Sequence, residues 1–416
     1  MIIYINYLIL FLSILGLFRM FVTFWFANAY DNSYIKYRHK YMNCYKHYSP
    51  TITIIVPAFN EEKAIYQTLT SVYNNDYRKK NIVVVDDGSS DNTWRIIQKF
   101  ANEHKDDANI AVITQRNGGK SVAINNAILN YDHSDLTMVL DADSLLKKDA
   151  ISKMVSWFCD KKVLALAMNV KMISVSTFLG ICQRLEFVSA YRGKCAEHFL
   201  KSLYIIGGIG STFRTNELKA IGGYDTNTPT EDIDLTLKII QKYGNKERIV
   251  GYAHDAIAYT QPVSKFSSLV KQRYRWKYGR FVAFMKYRNL FFNSSKRFSK
   301  SLTFVQLPLA VFQELFMLIE PYVYVYLVFN VVYYKDMSTF MSMLMYVVIV
   351  LLISICSSKE SMKSKLIMIL ESPLNFVLSY ILTIVEYTSL IFSFFHFRSI
   401  LKYNENHASW THVERL

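Results

Sequence analysis

Cysteine is scarce in this 416-residue chain. There are five, Cys44, Cys159, Cys182, Cys195 and Cys356, an odd number with no C-x-x-C spacing. That argues against a disulfide framework and against a structural zinc site, and leaves reduced, cytosol-facing thiols as the expectation. Charge is sparse as well, at 19% of residues, and the acids are the rarer sign: 33 Asp and Glu against 48 Lys and Arg, for a formal net charge of +15. An excess of cations can serve nucleic acid, an anionic membrane surface or an anionic substrate. The chain has no zinc knuckle, no RNA-recognition motif and no long arginine-rich arm, so no nucleic-acid partner is expected. It has no internal repeat and no low-complexity linker.

What the chain does have is apolar and aromatic: 51% hydrophobic residues, with 30 Tyr and 28 Phe. Its length exceeds the usual single-core size, and together these totals predict a membrane protein with a soluble part. Residues 2–27, IIYINYLILFLSILGLFRMFVTFWFA, are long enough to cross a bilayer, which takes about 20 apolar residues. No basic n-region precedes this run and no small-residue cleavage site follows it, so an uncleaved helix is expected rather than a signal peptide. Arg19 lies inside it and is expected to snorkel or to face a polar path. Residues 31–48, DNSYIKYRHKYMNCYKHY, form a basic, tyrosine-rich belt of the kind found on a cytoplasmic flank.

Three more apolar stretches, residues 302–334, 338–356 and 366–397, close the chain, and the first can divide into an interfacial helix and a span. Glu314, Glu320, Glu371 and Glu386 lie in or beside them, where acids face a bundle interior or a wet path more often than lipid. The lysines of SSKESMKSK place the loop between the last two stretches in the cytoplasm.

Residues 51–260 read differently. The β-branched runs TITIIVPA, NIVVVDD, NIAVITQ and LTMVLDAD alternate with helical patterns such as EEKAIYQTLTSVYNN and SSDNTWRIIQKFANEH. Apolar strands spaced by helices describe an α/β, doubly wound sheet with parallel strands, whose ligands sit beyond the carboxyl ends. The acids fall at those ends. NIVVV runs into Asp86-Asp87-Gly88-Ser89-Ser90-Asp91, which fits nucleotide recognition through Asp87 and equally a helix start capped by Ser90 or Asp91. LTMVL runs into Asp141-Ala142-Asp143; two carboxylates one residue apart can grip Mg²⁺ or Mn²⁺ on a diphosphate, although Asp-x-Asp is also common by chance.

Further on, NTPTEDIDLTLKI packs Glu231, Asp232 and Asp234 ahead of an apolar run. Thr228 to Glu231 has the spacing of a capping box, with Pro229 at the first helical position. VKQRYRWKYGR sets Gln272, Arg275 and Trp276 in a Q-x-x-R-W pattern. A basic helix on an anionic membrane would explain its cations; an arginine for a diphosphate and an indole for a sugar or base would explain the fixed offsets.

Taken in order, Val56 to Glu62, Asp86 to Ser89, Asn117-Gly118-Gly119-Lys120, Asp141 to Asp143, Thr230-Glu231-Asp232 and Gln272-x-x-Arg275-Trp276 resemble the membrane-embedded, processive family 2 glycosyltransferases of the cellulose, chitin and hyaluronan synthase superfamily. Within it the chain is most similar to the bacterial poly-β-1,6-N-acetylglucosamine synthases, through NVKMISVSTFLGICQRLEF, FQELFMLIEPYVYVY and the tail HASWTHVERL. One departure is Ile206-Gly207-Gly208-Ile209-Gly210-Ser211, where those synthases carry Ser-Gly before the acceptor-site strand.

The resemblance implies a GT-A-type mixed sheet inserted between transmembrane and interfacial helices. Its divisions would be an N-terminal membrane helix at 1–30, a basic linker at 31–50, the catalytic domain at 51–260, the Q-x-x-R-W and interfacial helices at 261–301, C-terminal membrane helices at 302–400 and a tail at 401–416. It implies inverting transfer from a UDP-sugar to a growing glycan at the cell membrane, with the catalytic domain in the cytoplasm and room for a small accessory membrane subunit. Asp232 would be the general base, ionised because the helix dipole lowers its pKa, with Glu231 beside it. Asp87 would hold the uridine, with Pro57, Ala58, Asn60, Glu61, Asp86 and Lys120 around the donor. Asp141 would contact the donor and Asp143 the metal, Mg²⁺ or Mn²⁺. Gln272, Arg275 and Trp276 would close over the diphosphate. Two other readings share the donor acids: a non-processive transferase adding one sugar to a lipid carrier, and an inactive scaffold of an export complex.

Overall fold

The computed structural model describes residues 2–106, 109–173, 175, 177–335 and 337–395. The tail HASWTHVERL lies outside them. A single helix, α1 (Ile2–Lys40), opens the chain and is followed by α2 (Met42–His47). The stretch expected as a linker is therefore helical. The reason is packing: Ala27 and Tyr30 are buried in the core. Tyr30 donates its hydroxyl to the Tyr252 carbonyl at 2.9 Å, Tyr34 to Asp255 Oδ2 at 2.7 Å and Tyr37 to the Trp157 carbonyl at 2.7 Å. Tyr34 and Tyr37 of the expected surface belt, with Tyr30 just before it, thus fasten α1 to the folded domain.

The domain alternates β1 (Ile52–Ala58), α3 (Ile65–Tyr73), β2 (Lys80–Asp86), α4 (Thr93–Glu103), β3 (Ile110–Thr114), α5 (Lys120–Asn130) and β4 (Leu136–Val139). It continues through β5 (Ser144–Leu146), α6 (Ala150–Trp157), β6 (Val163–Met172), α7 (Phe178–Phe199), β7 (Ser211–Arg214), α8 (Thr215–Ala220), α9 (Glu231–Tyr243) and β8 (Ile249–Thr260). The eight strands form one sheet in the order β3-β2-β1-β4-β7-β6-β8-β5. The first four are parallel, as their unbroken apolar runs predict, and every residue of β1 and β4 is buried. β7 runs antiparallel to both β4 and β6, and β5 antiparallel to β8, so the sheet is mixed rather than parallel throughout.

Chain order reverses between β2 and β4 on either side of β1, which opens the crevice where ligands enter such sheets. Pro57 fits in this central strand because β4 pairs with β1 only as far as Ile55, leaving no ladder bond for its missing N–H to make on that side.

After β8 come α10 (Phe266–Lys286), a 3₁₀ turn, and a π-helical turn (Ser301–Gln306) leading into α11 (Leu307–Met317). α12 (Glu320–Tyr333), α13 (Met337–Ser357) and α14 (Met362–Phe395) complete the described chain. The first apolar stretch does divide, with a 48° bend between Ser301–Met317 and Glu320–Tyr333. Among the described residues no single helix is long and apolar enough to cross a membrane; that bent pair meets the requirement by length and composition. Large apolar side chains nevertheless stand exposed along α1 and α11 to α14, with Phe18 at 62% and Leu370 at 81%. A surface of this kind needs a partner or a lipid phase.

Candidate active site

The turns beyond β1 and β2 are knitted together. Asn60, at φ 56°, donates its backbone N–H to Ser89 Oγ at 2.9 Å and accepts from the Ser90 N–H at 2.8 Å. The Glu61 N–H donates to Thr93 Oγ1 at 2.7 Å, and the Asp87 N–H to the Ala58 carbonyl at 2.9 Å. α4 is preceded by Asn92 rather than by Ser90 or Asp91; Asp91 instead accepts from the Thr93 N–H at 2.9 Å, outside the cap position.

Both acids at the end of β2 are buried, and they differ in what remains free. Asp87 accepts from Gln115 Nε2 at 2.7 Å and from the N–H groups of Gly118 and Gly119 at 3.0 and 2.8 Å. It shapes the turn that delivers Lys120. Gly88 allows that turn to approach, since at φ 74° a Cβ there would lie 2.9 Å from the Asn117 nitrogen. Asp86 uses Oδ2 for Thr114 and Ser89, and its Oδ1 is buried without a partner.

Lys120 opens α5 and joins two of the acids. Its Nζ lies 2.8 Å from Asp141 Oδ1, beyond β4, and 2.7 Å from Glu231 Oε1 at the start of α9. Gly208 lies against this junction, where a Cβ would come within 3.0 Å of the ammonium. The glycine-rich departure before β7 therefore clears space at the acids. Asp143 is part-exposed one residue beyond Ala142 and accepts from Ser144 Oγ at 3.3 Å.

The start of α9 differs from the capping-box expectation. Thr230 is the N-cap and makes no side-chain cap bond, Glu231 is the first helical residue, and Pro229 precedes the helix. Packing sets this start: a Cβ at Gly279 of α10 would lie 2.3 Å from the Thr230 side chain. Gly279→Ala is expected to destabilise the protein by about 2 kcal/mol, in the range of overpacked cores. A lowered thermal midpoint in detergent, with a parallel loss of turnover, would report α10 displaced from α9.

Electrostatics at this helix start also depart from expectation. The Asp232 carboxyl is pushed up to about 6, first by burial and then by the neighbouring Glu231 charge, against the opposing pull of Lys120 and Arg275. The helix dipole does not dominate. Lys120 and Arg275 hold Glu231 below the usual carboxylate range despite its burial. The paired acids are thus driven apart, one a firm anion and one able to exchange a proton near neutrality.

Arg275 reaches the acids through its charge, Gln272 is buried beside it on α10, and the Arg273 guanidinium lies 4.7 Å from the centre of the Trp276 ring. Sequence reading missed Lys194 on α7, whose ammonium is pushed down by burial and partly restored by Glu197 and Asp232. It missed Glu197 too, raised to about 7 chiefly by burial. Nothing in the helical pattern of α7 marks either residue.

Among the described residues no group of three or more His, Cys, Asp or Glu could hold a metal by itself. Asp141 and Asp143 offer the hard oxygen donors that Mg²⁺ or Mn²⁺ takes, and in such sites substrate phosphates and water complete the shell, so the residues present fit a shared metal.

A mixed sheet with its switch point at β1, Asp-x-Asp beyond β4 and Lys120 joining Asp141 to Glu231 have the architecture of a GT-A-like fold. The chain belongs to the glycosyltransferase family 2, whose model, described as "Glycosyltransferase like family 2", matches residues 50–279. It is 32% identical over 231 residues to the poly-beta-1,6-N-acetyl-D-glucosamine synthase of Staphylococcus aureus strain COL, covering 55% of this chain and 54% of that one. The synthase of the same name from Staphylococcus epidermidis is 31% identical over the same length. The match spans about half the length of these relatives. Among solved structures, the mannosyltransferase PcManGT from Pyrobaculum calidifontis, in complex with GDP-Man and Mn²⁺, aligns with a TM-score of 0.57 at 19% identity, over 90% of this chain and 98% of that one. That likeness establishes the fold.

Proposed function

We propose that this protein is a processive, inverting glycosyltransferase that polymerises N-acetylglucosamine from a UDP-sugar and exports the glycan through its membrane helices. The observation that carries the reading is Asp232 at the start of α9, raised toward neutrality, beside a Glu231–Lys120–Asp141 bridge. Its sugar rests on the identity to the synthases, its UDP donor on the motif resemblance and on Asp86 and Asp141 at the strand ends, and its processive character on Gln272, Arg275 and Trp276 of α10.

Asp232 takes the proton of the acceptor hydroxyl as that oxygen bonds to the anomeric carbon, while the bond from that carbon to the UDP oxygen breaks. One displacement inverts the centre, and no covalent enzyme intermediate is needed. Asp86, with its unpartnered oxygen, is assigned to the uridine, and Asp87 to holding the Gln115–Gly119 turn; Pro57, Ala58, Asn60 and Glu61, at the end of β1 and in the turn beyond it, are assigned to the donor as well. Asp141 and Asp143 would hold Mg²⁺ or Mn²⁺, which neutralises diphosphate charge when bound. Lys120 and Arg275 offset the charge on departing UDP, and Trp276 offers a flat face to the acceptor.

The domain division at 51–260, 261–301 and 302–400 belongs to this proposal. So does a cell-membrane location with the catalytic domain cytoplasmic, which the exposed apolar side chains of α1 and α11 to α14 support.

The test is to incubate washed membranes carrying the protein with Mg²⁺ and radiolabelled UDP-N-acetylglucosamine, then size the product. Long polymer that disappears with chelator and returns with Mg²⁺ or Mn²⁺ is expected. Label confined to a single lipid-linked sugar would replace processive synthesis by single transfer, and activity surviving chelation would remove the metal role of Asp143.

A further inference from the structure

Helix α10 carries two stripes of function-bearing residues offset by one position. Gln272, Arg275, Trp276 and Gly279 share one stripe, whose Gly279 meets Thr230 at the start of α9. Arg273, Lys277 and Arg280 share the other, and each meets an acid from another helix. Arg273 pairs with Glu186 of α7 at 2.5 Å and with Glu386 of α14 at 3.4 Å. Lys277 lies 3.0 Å from Glu386 and 2.8 Å from Glu314 of α11, and Arg280 lies 2.5 Å from the other oxygen of Glu314. Three cations and three acids form a neutral chain through four helices. Its centre is buried: Arg273, Lys277 and Glu314 are all below a tenth exposed.

Apolar packing, such as Gly279 against Thr230, restrains α10 without the directionality of a hydrogen bond. Charge-assisted bonds are directional, and removing one partner leaves a buried charge uncompensated, so this chain fixes both rotation and register. A turn of one residue, about 100°, would move the second stripe into the place of the first, setting Arg273 where Gln272 stands and Trp276 where Arg275 stands, so that no arginine faces the acid cluster from that position.

We propose that Glu314 and Glu386 are positioning residues: carboxylates on the C-terminal helices that hold α10 in the rotation presenting Gln272, Arg275 and Trp276 to the donor site. The C-terminal helices then set the competence of the site as well as its surroundings. This rests on the role given to the Q-x-x-R-W stripe above.

The experiment uses the full chain in detergent or nanodiscs, comparing Glu314→Gln, Glu386→Gln, the double variant and Glu386→Asp. Amide exchange over residues 266–286, UDP affinity by calorimetry and turnover at saturating donor are read together. In the double variant, exchange over 266–286 should rise by about tenfold or more while residues 52–139 are unchanged. UDP affinity and turnover should each fall about tenfold in the double variant, and Glu386→Asp, which keeps the charge, should retain most of what Glu386→Gln loses. Wild-type UDP affinity and turnover in the double variant would overturn the proposal even if thermal stability dropped, because the ion chain would then be structural only. If the double variant does not fold, Glu386→Gln alone, at a side chain 23% exposed, carries the same comparison. Failure of the wild type to bind UDP would count against the donor reading, and exchange over 266–286 would still decide whether the acids hold α10.

Discussion

Asp232→Asn is expected to lower turnover about a thousandfold, within the usual contribution of a general base, while UDP affinity stays close to wild type. The substitution keeps shape and local bonding. Asp232 Oδ1 accepts from the Ile233 N–H at 2.8 Å, which an amide oxygen can also do, and the Thr236 hydroxyl bonds the backbone carbonyl of residue 232, which is untouched. Only the ability to take a proton is lost.

The same carboxyl predicts a pH profile. Its pKa is raised from the ordinary 3.8 to about 6, so the base form is lost as pH falls through about 6, and kcat/KM should fall with it. Stability runs the other way. Between 3.8 and about 6 the folded protein binds the proton more tightly than the unfolded chain, so this residue's contribution declines as pH rises across that window. Asp232→Asn should remove both dependences. Turnover retained in the variant, or a wild-type profile flat through pH 6, would take Asp232 out of the base role.

The second large effect is expected at Lys120. Replacing it by Met removes the cation between Asp141 and Glu231 and leaves only the charge of Arg275 acting on Glu231, in a position where burial already penalises that carboxylate. Breaking a buried ion pair from one side costs about 3 to 5 kcal/mol, and the partial exposure of these side chains argues for the lower end, about 3 kcal/mol. Loss of turnover should accompany it, since the cation that offsets leaving-group charge is gone. The deficit has a pH signature. Lys120 is held above its ordinary value, and Glu231 is held below its ordinary 4.5. The pair therefore contributes fully between those ordinary values and fades as pH falls through the folded pKa of Glu231. Thermal midpoints of wild type and Lys120→Met should converge in acid and stay apart at neutral pH. A constant gap down to the lowest pH at which the protein folds would mean that Lys120 matters for packing rather than for charge.

Several features were legible in the sequence because they depend on local pattern. The four parallel strands are apolar runs with no polar alternation, and their helices follow the intervals between them. The acids at the strand ends stand where such sheets bind ligands, and the Q-x-x-R-W spacing is visible by eye. The antiparallel half was harder. β8 mixes Gly251, His254 and Asp255 among its apolar residues, and β5 is only three residues long, so neither stands out as a run. Helix starts fall one or two residues later than the capping patterns at Thr228 and at Ser90 or Asp91, because contact with α10 holds Thr230 and hydrogen bonds to Asn60 and Glu62 hold Ser90 and Asp91. Residues 31–48 have the composition of a membrane belt, yet Tyr34 and Tyr37 within them, and Tyr30 just before, bond the domain.

By itself the sequence determined the parallel core of the sheet, the family and the set of acids, since each is written in short, contiguous patterns of burial and charge. Tertiary structure alone decided their relations: that Lys120 bridges Asp141 and Glu231, that Asp87 is committed to a turn while Asp86 keeps an oxygen free, and that Glu314 and Glu386 grip α10. These relations join residues from 21 to more than 100 positions apart, and only folding brings their charges within a few ångströms, where burial and Coulomb forces set the pKa values.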